Sequence, residues 1–492
     1  MKFYNHDDAL LKANVRITQL ESKLSEALSK IDSLIFANRE LKLKVDRLTK
    51  ENIELKATNK QLLDENAQLK KRLKIDSNNS NMSPATNRFS KHTVSNREPS
   101  DKPSGGQEDH SGGNLEFSAN PTDKEEHKPK SCTECGNELS SFNLVDTRQV
   151  RDIITTEKIT NHYIYSGICT CGCETSFETN IPHGVSYGNN LKSLLLYLRN
   201  KDFIPSKRLS QTAMDIFGIS VSEGTIYNWQ AELSTNLNQY EDALIEKLYK
   251  EITLHADESG LKVKKITMWL HVISNKYFTY YDVHKKRGME AMEDTGILPN
   301  YTGNLIHDCF KSYHNLDKIS QHGLCNAHLL RELKAINQFY KLSFANKIRD
   351  LLLQMNDSVQ TKTLTYQIGL QFKAEFKKLI ELIHSEAKTL TNDKWQKEMI
   401  ALANRLTEHG SKYLAFLDNS AIPFTNNQAE QDIRMIKVKQ KISGGFRTEA
   451  GAKHFVKIRG FISTMRKQGQ NIIESIGKII VNPADYELSA SG

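Results

Sequence analysis

Residues 251–284 read EITLHADESGLKVKKITMWLHVISNKYFTYYDVH. Branched and aromatic residues alternate with polar ones, the period-two pattern of half-buried strands. The stretch predicts three strands with tight connections, at about 252–257, 262–274 and 277–284. Asp257 then ends the first strand. Strand neighbours face opposite sides, so Asp257 and Glu258 cannot both point into one site. A helix is expected at Arg287–Glu293. GNLIHDCF (303–310) predicts a fourth short strand with Asp308 just past its end. An acid at the end of a buried strand is costly unless it is paired or bound to a cation.

Further along, residues 424–441 read FTNNQAEQDIRMIKVKQK. This predicts a helix led by Glu430, with Arg434, Lys437 and Lys441 following at helical spacing. Glu430 could form no more than an i,i+4 ion pair with Arg434. It could also join Asp257 and Asp308 in a three-carboxylate site for two Mg²⁺ or Mn²⁺ ions, the hard cations that oxygen ligands suit. Taken singly, each acid reads more readily as a surface acid or a salt-bridge partner. Asn426 and Asn427 are candidate caps for the helix. The following SGGFRTEAGA is glycine-rich and carries Arg447, which suits either close approach to a DNA backbone or a plain turn.

The chain has 492 residues, long enough for several domains, and a net charge of +8 from 67 basic and 59 acidic residues. The excess is concentrated between Gln431 and Gln470, where ten Lys/Arg face only Asp432 and Glu449. Such a field suits a polyanion, or else a solvated helix face. No apolar run approaches the roughly 20 residues of a membrane span, and no secretory signal stands out, so a cytoplasmic protein without membrane contact is expected.

Residues 10–75 carry a heptad. Position d falls on Leu20, Ala27, Leu34, Leu41, Leu48, Leu55, Leu62 and Leu69. Position a falls on Ile17, Leu24, Ile31, Asn38, Val45, Asn52, Asn59, Asn66 and Leu73. Leu at d, with β-branched residues and Asn at a, favours a parallel dimeric coiled coil in fixed register. Residues 76–130, rich in Ser, Asn, Gly and Pro, predict a disordered linker.

Five of the seven cysteines lie within 132–173. Cys132 and Cys135 have C-x-x-C spacing, and two of Cys169, Cys171 and Cys173 would complete a tetrahedral zinc site. Cys169 with Cys171 is the preferred pair, with Cys173 as the alternative. The stretch between them alternates like strands, so 131–182 predicts a small zinc-ribbon-like module. Residues 188–245 predict helices, with a turn at Phe217–Gly218 and Ser222 capping the next helix. That is compatible with a DNA-reading helix-turn-helix or with an ordinary helical hairpin.

Several strings resemble the insertion-sequence-66 family of bacterial transposases. They are HADESGLKV, WLHVIS, HKKRGMEAMEDTGILPNYTGNLIHDCFKSY, GLCNAHLLREL, PFTNNQAEQDIRMIKVKQKISGGFRTEAGA and IRGFISTMRKQGQN, together spanning most of 251–475. The cysteine module and the helices after it also resemble that family's zinc-binding region, where a leading coiled coil is usual.

The resemblance implies a ribonuclease-H-like DDE catalytic domain over 250–475. Asp257 falls in HADES, where the family tends to have Thr after the Glu. Asp308 falls at the family's V-H-D position, here IHD, and Glu430 in N-N-x-A-E-x-x-I-R. Cys325 and His328 match a C-x-x-H pattern that follows the second acid in several DDE families, read here as local structure or strand positioning and not as zinc ligands. The long spacing between Asp308 and Glu430 implies a helical insertion at about 327–417.

The overall expectation is a multidomain α+β protein ending in a tail over 476–492. The implied activity is cutting and joining of DNA at the ends of an insertion sequence. Its partners would be terminal inverted repeats, target DNA, a second copy bound through the coiled coil, and small accessory proteins of the element. The enzyme would then sit on the bacterial nucleoid. The alternative is a non-catalytic DNA-binding dimer.

Overall fold

The computed structural model describes residues 6–74 and 116–488. It is a mixed α+β structure. The first helix, α1 (His6–Lys74), is continuous over 69 residues. The described leucines between Leu10 and Leu62 are exposed, Leu20 at 54% and Leu34 at 62%. The predicted linker lies outside the described residues up to 115. Residues 116–130 form no helix or strand.

In the cysteine region, β1 (Ser166–Ile168) and β2 (Glu174–Ser176) form a short antiparallel hairpin, and a single bridge joins Ser131 to Glu138. The alternation across 143–165 does not become a ladder. That segment is almost wholly exposed and has no partner strand among the described residues to satisfy its backbone.

Four helices follow: α2 (Asn189–Lys201), α3 (Ser206–Phe217), α4 (Glu223–Asn236) and α5 (Asn238–Lys250). Gly218 ends α3 at φ 69°, a left-handed cap that suits glycine. The Ser222 hydroxyl accepts from the Thr225 amide and caps α4.

The sheet comprises β3 (Thr253–Val263), β4 (Ile266–Ser274), β5 (Thr279–His284), β6 (Asn304–His307) and β7 (Gln321–Leu324), with the short helix α6 (Met289–Thr295) between β5 and β6. The strand order is β5-β4-β3-β6-β7. The first three strands are antiparallel, while β6 and β7 run parallel to β3. The expected break after Asp257 is absent. β3 runs on to Val263, and the hairpin turns at Lys264 and Lys265, with φ of 48° and 68°. Two-residue hairpins need positive φ and normally advertise it with Asn-Gly or Asp-Gly, a signal that VKKI lacks.

Between the sheet and the Glu430 helix lie α7 (Asn326–Tyr340), α8 (Ser343–Gln360), α9 (Tyr366–Ala387), α10 (Asp393–Tyr413) and α11 (Ala415–Asp418). They share a core that includes Leu333, Phe344, Ile383 and Leu406, joined to the sheet through Ile306 and Leu324. Then come α12 (Asn427–Ser443), α13 (Glu449–Lys467) and α14 (Ile472–Val481). The segment expected as a tail from 476 is helical to Val481. Ile476 and Ile479 are fully buried in one core with Leu195 and Leu196 of α2. The helices before and after the sheet therefore share a hydrophobic core.

Burial along β3 changes face midway. Leu254, Ala256 and Glu258 are buried first, then Leu261 and Val263 on the opposite side. The second pair packs with Ala429, Ile433 and Ile436 of α12. Asp257 has the parity of Leu261 and Val263, so the sheet directs it to the side that α12 covers.

Candidate active site

Asp257 sits in the middle of β3, opposite Val272 of β4, and not at a strand end. Asp308 follows β6, the parallel neighbour on the other side of β3. Glu430 lies in the first turn of α12. Burial, followed by the charges of Glu258, Asp308 and Glu430, pushes the Asp257 carboxyl well above the usual range. Burial and Glu258 push Asp308 up to about 6, against the Phe310 amide, which donates to its Oδ1 at 2.9 Å, and the Arg287 charge. These acids are near enough for their charges to act on one another.

The three do not form a tight cluster. Among the described residues, the triads of potential metal donors whose atoms all lie within 4.8 Å are Cys309–His314–His409 and Cys325–His328–Glu430. Glu430 is engaged with α7: its Oε1 lies 3.2 Å from Arg331 Nη2, 3.7 Å from His328 Nδ1 and 3.8 Å from Cys325 Sγ. It pairs with Arg331 and not with Arg434 one turn along. Burial drives His328 down to about 4 and Cys325 up to about 12, so both are neutral at pH 7.

Glu258 is committed elsewhere. Its side chain is wholly buried, and Oε1 accepts from Arg287 Nε at 2.8 Å and Nη2 at 2.7 Å. Its Oε2 accepts from the Tyr313 hydroxyl at 2.6 Å. The Arg287 guanidinium stacks on Phe310 at 4.2 Å and Trp269 at 5.0 Å. Arg287 and Tyr313 lie inside HKKRG and FKSY, but only the fold shows that both reach Glu258.

The Glu430 helix is tied to β3 by Asn426, which is fully buried. Asn426 precedes α12 but makes no side-chain cap bond, and Asn427 is the first helical residue. The carboxamide instead donates to the Ala256 carbonyl at 2.8 Å and accepts from His255 Nδ1 at 2.9 Å. The Asn426 amide donates to Cys325 Sγ at 3.1 Å. One residue thereby links the strand of Asp257, the start of α7 and the helix of Glu430.

Among the predicted DNA contacts, Arg434, Lys441 and Arg447 are exposed. Lys437 is not free for that role: its Nζ is half-buried and donates to the Gly260 carbonyl at 2.8 Å. The glycine-rich loop approaches the protein's own backbone. Phe446 exchanges bonds with Lys262 and Lys264, and a Cβ on Gly445 would lie 2.6 Å from the Lys262 carbonyl oxygen. The exposed side of α4 includes Glu223 and Glu232, and its buried residues pack against α13.

Each half of the cysteine region forms a tight turn. Gly136 donates to the Cys132 carbonyl at 3.0 Å, and Gly172 to the Cys169 carbonyl at 2.8 Å. Amides of Cys135 and Glu134 lower the Cys132 thiol, and the Cys171 amide and thiol lower Cys169. Cys173 accepts the Cys169 amide through its carbonyl at 2.8 Å. The two turns do not bring three cysteines within 4.8 Å of one another.

No helix among the described residues is long and apolar enough to cross a membrane. The family model described as Transposase IS66 family matches residues 184–454. No curated protein matches the chain. Among solved structures, the chain is similar to one titled "Crystal structure of the Mos1 Strand Transfer Complex", at 12% identity and a TM-score of 0.11. That likeness covers 28% of this chain and 57% of the other, too slight to support an inference.

Proposed function

The chain belongs to the transposase IS66 family, and from that premise we propose that it is a DNA transposase of the DDE type, with Asp257, Asp308 and Glu430 as its triad. The observation that carries this reading is the placement of three acids about one strand: Asp257 on β3, Asp308 after its parallel neighbour β6, and Glu430 on the helix that packs on β3, near enough for its charge and that of Asp308 to act on Asp257. Asp257 and Asp308 are both held above the usual carboxylate range. The nearby cations are engaged, Arg287 with Glu258 and Lys437 with Gly260. Such a set of hard oxygen donors fits Mg²⁺ or Mn²⁺. When bound there, the divalent ions would activate the attacking oxygen and stabilise the leaving one.

The strand order supports a ribonuclease-H-like reading. The first acid lies on the central strand, the second follows the parallel neighbour, and the third is on a later helix. The helices α7 to α11 then form an insertion between the second and third acids. The chemistry is hydrolysis of a phosphodiester at an element end, followed by attack of the freed 3′-hydroxyl on target DNA, with no covalent enzyme intermediate. Arg434, Lys441 and Arg447 hold phosphates. Asn426 and Arg331 position the helix and side chain of Glu430.

In the same reading, Cys132, Cys135, Cys169 and Cys171 hold a structural zinc that cross-links the two cysteine turns. That module, with 188–245, recognises the terminal inverted repeats. The exposed leucines of α1 pair two subunits in a coiled coil. Small proteins of the same element serve as accessory partners in this reading.

The test is Mg²⁺-dependent cleavage of a labelled duplex carrying the element's own end, wild type beside Glu430→Gln. Cleavage by wild type alone supports the triad. Equal cleavage by both removes Glu430 from it. End binding without cleavage by either protein, with accessory proteins supplied, overturns the enzyme reading in favour of a DNA-binding dimer.

A further inference from the structure

We propose that Cys325, His328 and Glu430 form a second, soft-metal site of the zinc class, which withdraws Glu430 from the acids on the sheet. The inference rests on the triad reading only for its effect on activity. The binding site itself stands on geometry.

The donor atoms of these three residues all lie within 4.8 Å of one another. Cys325 Sγ and His328 Nδ1 are 3.8 Å and 3.7 Å from the same Glu430 oxygen. A tetrahedral zinc ion separates its ligand atoms by about 3.3–3.6 Å, so a few tenths of an ångström on these edges bring both donors into range. His328 Nδ1 is buried and has no hydrogen-bond partner, and it faces that oxygen. Burying a polar nitrogen unpaired is unfavourable, and a ligated ion removes the penalty.

The elements that carry the donors are braced. Cys325 immediately precedes α7, and His328 is in that helix's first turn. Asn426, just before α12, donates its amide to Cys325 Sγ. The neutral Cys325 thiol must release its proton to solvent as the ion enters, and the resulting thiolate, imidazole and one carboxylate select zinc over magnesium, whereas Asp257 and Asp308 offer only oxygen. Three protein donors leave one position for water.

Arg331 is the group an entering ion must displace, since its Nη2 lies 3.2 Å from Glu430 Oε1. It stands one turn beyond His328 with its side chain 18% exposed and its Nε donating to the Ala327 carbonyl at 3.2 Å, so an entering ion has to break the ion pair and turn the guanidinium away from Glu430. In the metal-free chain Arg331 supplies the positive charge that zinc would bring. Both engage Glu430 from α7, which accounts for its separation from the sheet acids.

The experiment uses the full chain with Cys132, Cys135, Cys169, Cys171 and Cys173 replaced by serine, leaving Cys309 and Cys325 as its thiols. Co²⁺ is the spectroscopic probe, and Zn²⁺ is the competitor. One equivalent of Co²⁺ should produce a thiolate-to-cobalt absorption band. Cys325→Ala should abolish it, and His328→Gln and Glu430→Gln should each weaken binding by at least about tenfold. His328→Gln covers the case in which Cys325→Ala fails to fold. Arg331→Met should tighten binding, and Cys309→Ala should leave the band intact.

Absence of the band, or its loss with Cys309→Ala instead of Cys325→Ala, overturns the proposal. In cleavage assays zinc should inhibit, and added Mg²⁺ should reverse the inhibition in proportion. Zinc binding at these residues in a protein that never cleaves DNA would count against the transposase reading and leave the metal site standing. Zinc binding without inhibition of an active enzyme would overturn the withdrawal of Glu430.

Discussion

Asn426 holds the ring of His255 at 2.9 Å while the same carboxamide donates to the carbonyl of Ala256 at 2.8 Å. This contact fastens the start of α12 to the strand of Asp257. Asn426→Ala leaves two buried polar groups unsatisfied, each costing ~1–3 kcal/mol. A destabilisation of about 2–6 kcal/mol is expected in denaturant titrations, with an unchanged m-value. Cleavage should fall more steeply than end binding, because the displaced element carries Glu430. An Asn426→Ala protein of wild-type stability would show that the clamp is redundant.

Glu258 and Arg287 form a pair in which only the arginine reaches solvent, with side-chain exposures of 40% and 0%. Removing the arginine alone strands a buried carboxylate. Arg287→Met should therefore destabilise the fold by about 3–5 kcal/mol. Adding Glu258→Gln should recover part of that loss, because the charge left behind is gone. A double-mutant cycle measures the recovery, and additive losses would mean that the pair does not interact.

The pH dependence of Asp308 follows from its raised value. Its folded pKa of about 6 exceeds the ordinary carboxyl value, so the folded chain binds a proton that the unfolded chain has released. Stability contributed by this group falls as pH rises from about 4 through 6, and near pH 7 the cost is about 3 kcal/mol in the metal-free protein. Asp308→Asn should be near neutral at pH 4 and stabilising by up to that amount at pH 7. Mg²⁺ should stabilise wild type more at pH 7 than at pH 5. Thermal melts of both proteins across this range check the sign, and a variant less stable than wild type at pH 7 would reverse it.

The cations of α12 and its following loop should separate into two classes. Arg434, Lys441 and Arg447 are exposed, and each alanine variant should lower the salt dependence of DNA binding by about one unit of slope. Lys437 bonds to Gly260 inside the protein, so Lys437→Ala should change stability more than the slope. Binding titrations at several salt concentrations distinguish the classes. Equal slope changes for all four would return Lys437 to the DNA-facing set.

Much of the scaffold follows from the order of residues. Alternation sets the strands around Asp257 and Asp308, apolar spacing sets the helices between Asn326 and Asp418, and Ser222 marks the start of α4. These are local signals, because side-chain periodicity and capping act within a few residues. The unbroken span of β3 escaped that reading, since Lys264 and Lys265 adopt a turn that their side chains do not favour.

What the tertiary structure decided is which groups meet. Glu258 finds Arg287 and Tyr313, Asn426 leaves its cap position to bridge His255 and Ala256, and Glu430 pairs with Arg331 across a long stretch of intervening chain. The final turn of burial at Ile476 and Ile479, where a tail was expected, depends on Leu195 and Leu196 nearly three hundred residues earlier. Charge pairing and desolvation act through space, so residue order alone names the acids and cations, and only packing determines which of them are bound to each other.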